Sequence, residues 1–134
     1  MKKSFLLMLL LLGLGLAQTG SKVLGQNLPL EGATQIKAPE ERILRALSIT
    51  EGKRCQIFEG WSFKAATAGD YSKLIEASYA KLKEAGWKLE PKGQLSQGGS
   101  NVEAFKLVGV KNEQVLAYWL LTGGATQLIW CKLG

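Results

Sequence analysis

The spacing of apolar positions changes several times along the chain, and each change marks an element. From Cys55 to Phe63, the residues Cys55, Ile57, Trp61 and Phe63 alternate onto one face, broken only by Glu59. That period of two predicts a strand. From Asp70 to Gly86 the spacing becomes helical. Tyr71, Leu74, Ile75, Ser78, Tyr79, Leu82 and Ala85 share one stripe, and Lys73, Glu76, Ala80, Lys83 and Glu84 lie opposite. Asp70 suits the N-cap of this helix and Gly86 its stop. Trp87 to Glu90 predicts a short strand ended by Pro91. Lys92 to Asn101, rich in Gly, Ser and Gln, predicts a mobile loop. Three strands at hairpin spacing follow, at about 102–110, 114–122 and 126–133. Further upstream, Ile43, Leu44 and Leu47 share a helical face, yet Ile43, Leu47 and Ile49 also alternate. Residues 39–50 therefore fit a helix or a strand, with Pro39 and the acids after it favouring a short helix.

Gly123-Gly124 is a two-residue hairpin signal, since both residues accept positive φ. It predicts the pairs Thr122–Ala125, Trp119–Leu128, Tyr118–Ile129, Ala117–Trp130 and Leu116–Cys131. If Asn112-Glu113 is also a two-residue loop, Leu107 joins Tyr118. One face then carries Phe105, Leu107, Leu116, Tyr118, Leu120, Ile129, Cys131 and Leu133. The other carries Lys106, Val108, Val110, Val115, Ala117, Trp119, Leu121, Leu128, Trp130 and Lys132. A three-residue first loop would flip residues 102–110 and move Lys106 off this second face.

The sheet so read is apolar on both sides, and the long helix covers one. The expectation is that it packs across the cysteine face. The second face must then be covered too, because each large apolar side chain left wet forgoes about 1.5–3 kcal/mol. Either residues 28–50 fold back over it with Ile43, Leu44 and Leu47, or a partner does. In the second case Lys106, Trp119, Leu128, Trp130 and Lys132 form a candidate interaction surface for an envelope protein, a second copy of the chain, or a glycan or polyanion.

The N-terminus has the pattern of an export signal. Lys2 and Lys3 precede an apolar run from Phe5 to Leu16, and Gly15-Leu16-Ala17 places small residues where a signal peptidase cuts. The run is shorter than the roughly 20 residues a membrane span needs, and no cysteine follows it to carry a lipid. The expected organisation is a signal peptide at 1–17, a flexible segment at 18–38 and one α+β domain at 39–134, periplasmic or secreted, without stable membrane insertion after cleavage. Export predicts that Cys55 and Cys131 form a disulfide. Those two residues meet most simply if the strand at 55–63 lies antiparallel beside the strand at 126–133.

Composition narrows the chemistry. The 134 residues contain no histidine, which excludes Ser-His-Asp and Cys-His sites and imidazole metal ligands. Asp70 is the only aspartate. Phosphate-loop spacings are missing, so no cofactor is implied. Seventeen cations against eleven anions give a net charge of +6, scattered rather than striped, so nucleic acid is not an expected partner.

Three local motifs have chemical readings. Ser78-Tyr79-Ala80-Lys81 matches the Ser-x-x-Lys of acyl enzymes, but Ser78 lies mid-helix on the apolar stripe with no second basic motif. Gln56-Ile57-Phe58-Glu59-Gly60 is loosely similar to an inhibitory loop of cystatin type, displaced to the wrong side of the helix. Glu59, Glu90 and Glu103, on or near strands, are candidates for paired-carboxylate work of the glycosidase kind.

Pro29-Leu30-Glu31-Gly32, followed by Tyr79-Ala80-Lys81-Leu82-Lys83-Glu84-Ala85-Gly86-Trp87, resembles a loose class of small exported bacterial domains. These have a Pro-x-x-Gly entry, a strand, a helix ending Tyr-x-x-Leu-x-x-x-Gly-Trp and an antiparallel meander. The resemblance implies an α+β fold with one main amphipathic helix on a four- to five-stranded, mainly antiparallel sheet. It transfers no activity and no functional residue. The chain departs from many members in lacking the lipid-bearing cysteine. The expectation is a non-enzymatic binding or structural protein of the cell envelope. The alternatives are an inhibitor or immunity-type protein acting on a secreted enzyme, and a weak glycan or polyanion binder using tryptophan and lysine.

Overall fold

The computed structural model describes residues 20–37, 41–97 and 100–134. The expected signal peptide at 1–17 lies outside them. The fold is α+β, with a six-stranded antiparallel sheet between two helices and a small two-stranded ribbon at the start. The ribbon pairs β1 (Gly20–Ser21) with β2 (Gln26–Asn27). Then come β3 (Thr34–Ile36), α1 (Arg42–Glu51), β4 (Cys55–Phe63), α2 (Ala68–Glu84), β5 (Lys88–Gln97), β6 (Ser100–Val108), β7 (Gln114–Leu121) and β8 (Thr126–Leu133). The strand order is β3-β4-β8-β7-β6-β5. Among the described residues no helix is long and apolar enough to cross a membrane.

The second hairpin has the expected register. Trp119 pairs with Leu128, Tyr118 with Ile129, Ala117 with Trp130 and Leu116 with Cys131. The Thr122 N–H donates to the Ala125 carbonyl at 2.8 Å, closing a loop of two glycines. The strand at 55–63 also lies beside the last strand, antiparallel, and Cys55 and Cys131 are disulfide-bonded with Cα atoms 5.4 Å apart.

The first hairpin does not have the expected register. Its loop is 109–113, held by the Gly109 N–H on the Glu113 carbonyl (2.8 Å), with Asn112 at φ 63°. Leu107 therefore pairs with Val115 and Lys106 with Leu116. This shift changes parity. Phe105 and Leu107 join the tryptophan face, while Lys106 moves to the cysteine face.

The long helix also covers the other side from the one expected. α2 packs with Ile75 and Leu82 on Trp61, Phe63, Phe105, Val115, Trp119, Leu128 and Trp130. The cysteine face, with Val102, Ala104, Leu116, Tyr118, Ile129 and Cys131, is covered by Ile43 and Leu44 of α1. So residues 39–50 include a helix, and Ile43 and Leu44 do fold back on the sheet, but over the opposite face. The connection explains the difference. In the antiparallel order, β4 and β5 run the same way at separated positions, and α2 carries the chain between them across β8, β7 and β6. Crossovers between parallel strands have a strong preferred hand, and that hand selects the face. Hydrophobic periodicity contains no such information.

The cap of α2 sits three residues before the expected Asp70. Thr67 is extended (φ −106°, ψ 159°), and its Oγ1 accepts from the Asp70 N–H at 3.1 Å. The C-terminus is as expected. Gly86 has φ 99°, its N–H reaches the Lys83 carbonyl, and the Trp87 N–H reaches the Leu82 carbonyl at 3.0 Å. These paired bonds satisfy the last turn, and Trp87 follows Leu82 into the core.

Two further expectations are corrected. Residues 18–38 were expected to be flexible, yet 20–37 are built into the fold. Val23, Leu24, Leu28 and Leu30 are buried in the tryptophan-face core, and β3 adds a sheet edge along β4. A buried carboxylate ties this segment down. Glu59 accepts from the Ser21 hydroxyl (2.6 Å), the Lys22 N–H (2.6 Å) and the Trp130 indole N–H (3.0 Å). Likewise Pro91 does not end β5. The strand runs to Gln97 with an irregularity between Pro91 and Gly93. β5 is an edge strand, where proline's missing N–H costs no ladder bond. β3 brings the sheet to six strands rather than four or five.

Lys106 joins α1 to the far edge of the sheet. Its Nζ lies 2.7 Å from Glu51 Oε1 and 3.3 Å from Glu90, and Lys92 Nζ lies 3.0 Å from the other Glu51 oxygen. Hydrogen bonds from Lys106, then Lys92, hold the Glu51 carboxyl below its ordinary pKa. A lowered carboxylate pKa contributes stability above the unfolded-state value, and this is lost as pH falls through the folded-state value. Glu51→Gln should cost about 1–2 kcal/mol at pH 7. The gap from the parent should narrow as pH falls below the ordinary carboxylate value of 4.5 and close once it has passed the lower folded-state value, as followed by urea melts over a descending pH series.

Candidate functional site

The five residues of the candidate interaction surface do not form a surface. Trp119, Leu128 and Trp130 are 0 % exposed, packed beneath α2 and the N-terminal segment. Lys106 lies on the opposite face in the network with Glu51. Lys132 alone is partly exposed on the tryptophan side, opposite Val115. The physical reason is the one above: α2 sits on the aromatic face, and the five-residue first loop turns Lys106 away.

The three candidate glutamates are also kept apart. Glu59 is on β4 and Glu103 on β6, three strand spacings distant, which is about 14 Å at ~4.8 Å per strand. Glycosidase pairs stand roughly 5–9.5 Å apart. Glu90 pairs across from Lys106 and faces the other side of the sheet. Ser78 is buried mid-helix beside Leu30 and Leu74, as a small residue under the N-terminal segment, while Lys81 is exposed. Gln56 to Gly60 forms part of β4 and not a loop.

What the fold does build is a cleft of about 250 Å³ between the C-terminal half of α2 and the β5–β6 edge. Leu89, Pro91 and Phe105 form its apolar wall, Gly93 leaves room at the β5 irregularity, and Tyr79, Lys83 and Glu103 supply polar groups. Helical spacing directs Tyr79 inward, one turn before Lys83 at the rim. The flipped register of β6 directs Glu103 to the same side, directly across from Trp119.

The polar groups are loosely engaged. The Tyr79 hydroxyl donates to Glu103 Oε1 at 3.5 Å, well beyond the usual 2.7–2.8 Å. Deeper along the helix, the Tyr71 hydroxyl donates to the Trp119 carbonyl at 3.4 Å. The Trp119 indole N–H is buried without a hydrogen-bond partner. Phe105 meets Tyr79 edge-on at 5.1 Å and stacks on Trp119 at 6.3 Å.

Burial, and then the charge of Glu103, pushes the Tyr71 phenol up to about 12. The same two causes, in the same order, raise Tyr79 further, opposed by the nearby Trp119 N–H. Both phenols therefore keep their protons at neutral pH and act as hydrogen-bond donors. A tightly held proton is poorly matched to acid–base transfer near pH 7. An apolar wall with a few converging polar groups is the form of a recognition site.

In the sequence Tyr79 reads as a structural member of the helix stripe, and Glu103 as one of three candidates for paired-carboxylate chemistry. The available signal was the acid at an inward position of the Glu103, Phe105, Leu107 alternation, a place where an apolar residue is expected. Only the crossover of α2 brings Tyr79 over it. Comparison with known protein families, curated proteins and solved structures finds no match to this chain.

Proposed function

We propose that this chain is an exported, non-enzymatic binding protein of the bacterial cell envelope, with the cleft between α2 and β5–β6 as its site. The observation that carries the reading is the convergence of the Tyr79 hydroxyl and the Glu103 carboxylate on one apolar cavity, each with unused hydrogen-bonding capacity. Export is supported by the leader pattern of residues 1–17. The disulfide is compatible with an oxidising compartment.

The alternatives draw less support. A glycan or polyanion site on Trp119 and Trp130 lacks exposed rings. A homodimer through the second sheet face lacks an open face, because α1 and α2 cover both sides. An inhibitor acting through a sheet edge would use β3, which is only three residues long, or β5, whose proline and irregularity interrupt the hydrogen-bonding row a partner strand needs.

The test is a titration of small amphipathic fragments into the ¹⁵N-labelled mature chain, followed by amide resonances. Saturable shifts should centre on Tyr79, Leu89, Glu103 and Phe105. Saturable shifts confined to other regions would move the site elsewhere.

A further inference from the structure

We propose that the cleft accepts a primary ammonium group carried on a small apolar body, with the ammonium against Glu103 and the ring of Tyr79. This inference rests on the cleft being the binding site and adds the chemical class of its ligand.

The charge of the site points that way. A carboxylate offers about four acceptor positions. Glu103 uses one, on a hydroxyl 3.5 Å away. Among the described residues no lysine or arginine nitrogen lies within 4.0 Å of it; Glu59 and Glu113, which also lack such a partner, accept close hydrogen bonds of 2.6–3.0 Å instead, and Glu31 and Glu76 are exposed to water. Lys83, the cation that lines the cleft, is exposed at its rim and makes no ion pair with Glu103, so this partly buried carboxylate lacks a close counterion. A ligand that brings a positive charge supplies the missing partner.

The aromatic rings favour the same group. Phe105 is buried with one face stacked on Trp119, and its edge-to-face contact with Tyr79 leaves the half-buried Tyr79 ring as the aromatic surface nearest the cleft opening. The face of such a ring attracts an ammonium. The Tyr79 hydroxyl, held neutral by its surroundings, adds an oxygen lone pair that can accept from N–H. Lys83 stands exposed at the rim, where solvent screens it, so a ligand carboxylate seated deeper, beside Glu103, would be repelled, and an alcohol would leave the Glu103 charge uncompensated.

The volume limits the body. At ~30 Å³ per water molecule, 250 Å³ holds about eight waters. That leaves room for a phenylethyl or isoamyl group inside the cleft. The shared chemistry, a primary ammonium next to an apolar group, has two sources: a small free amine, or the first residue of a peptide.

The experiment compares 2-phenylethylamine with 2-phenylethanol and phenylacetate on the mature chain, by calorimetry and by amide shifts. A Phe-Gly-Gly tripeptide forms a further arm. The amine should bind at least tenfold more tightly than the alcohol, and phenylacetate should bind least. Glu103→Gln, which keeps the side chain's shape, should bring the amine down to the alcohol's affinity and leave the alcohol unchanged. Binding of the tripeptide at or above the amine's affinity assigns the ammonium to a peptide N-terminus, and weaker binding assigns it to a free amine. Equal binding of amine and alcohol in the unsubstituted chain overturns the ammonium assignment while leaving the cleft as a site. If none of the four probes shifts Tyr79, Leu89 or Phe105, both fall. The comparison within the unsubstituted chain holds whatever the variant does to folding.

Discussion

Trp119→Ala should cost about 3–5 kcal/mol of folding stability, and this should be its main effect. Trp119 is 0 % exposed on a central strand. Its ring stacks on Phe105 at 6.3 Å and tilts against Phe63 at 5.8 Å, so truncation opens a cavity that α2 cannot fill without leaving its other contacts. Total stability for a domain of this size is about 5–15 kcal/mol, so the loss is a large fraction. Denaturant melts of the variant should show the midpoint falling sharply, with amide exchange rising throughout β6, β7 and β8. A tryptophan serving an external partner would behave in the opposite way, leaving the melt unchanged and removing an interaction. Trp119→Phe should cost less than the alanine variant. It keeps an aromatic surface for Phe105, and the indole N–H it deletes lies near the Tyr79 hydroxyl without a well-formed hydrogen bond.

The fate of this tryptophan shows what hydrophobic pattern can and cannot encode. Where a loop has a definite length, pattern and register go together. Gly123-Gly124 leaves one pairing, and every expected contact from Thr122–Ala125 to Leu116–Cys131 is found. Asn112-Glu113 carried the same kind of signal, but Gly109 lies just upstream, and the chain uses all of 109–113 as the turn. One wrong loop length inverted each residue of β6. The apolar character of both sheet faces was legible, as was the helix from Tyr71 to Gly86. Which helix lies on which face was not, because that depends on the path from β4 to β5 and not on the amphipathicity of α2. The N-terminal segment failed for a different reason. Val23, Leu24, Leu28 and Leu30 are spaced by turns, so they show neither helical nor strand period, and four core residues read as a polar tail. The cleft inherits all of this. Tyr79 and Glu103 were each visible, but they share a site only once the β6 parity and the α2 crossover are both known.

Replacing both cysteines, Cys55→Ala with Cys131→Ala, should produce a loss of similar size by another route. The bond joins residues 76 apart in sequence. Closing a loop of that length in the unfolded chain gives a chain-entropy ceiling of about 4.5 kcal/mol, and observed effects run from about 2 kcal/mol upwards. In the folded state the bond adds little that the β4–β8 ladder and the cover of Ile43 and Leu44 do not already provide. The effect should therefore appear in the denatured ensemble. Without the cross-link that ensemble expands, so the urea m-value should rise while the midpoint falls. A midpoint drop with an unchanged m-value would mean the cysteines act through packing instead. Cys131 is 0 % exposed, so a thiol reductant added to the folded protein should act only as fast as β8 opens, and mild denaturant should accelerate it. Because the stabilisation exists only where the bond can form, the chain produced under reducing conditions should melt like the double variant. The fold should then gain its full margin only on reaching an oxidising compartment.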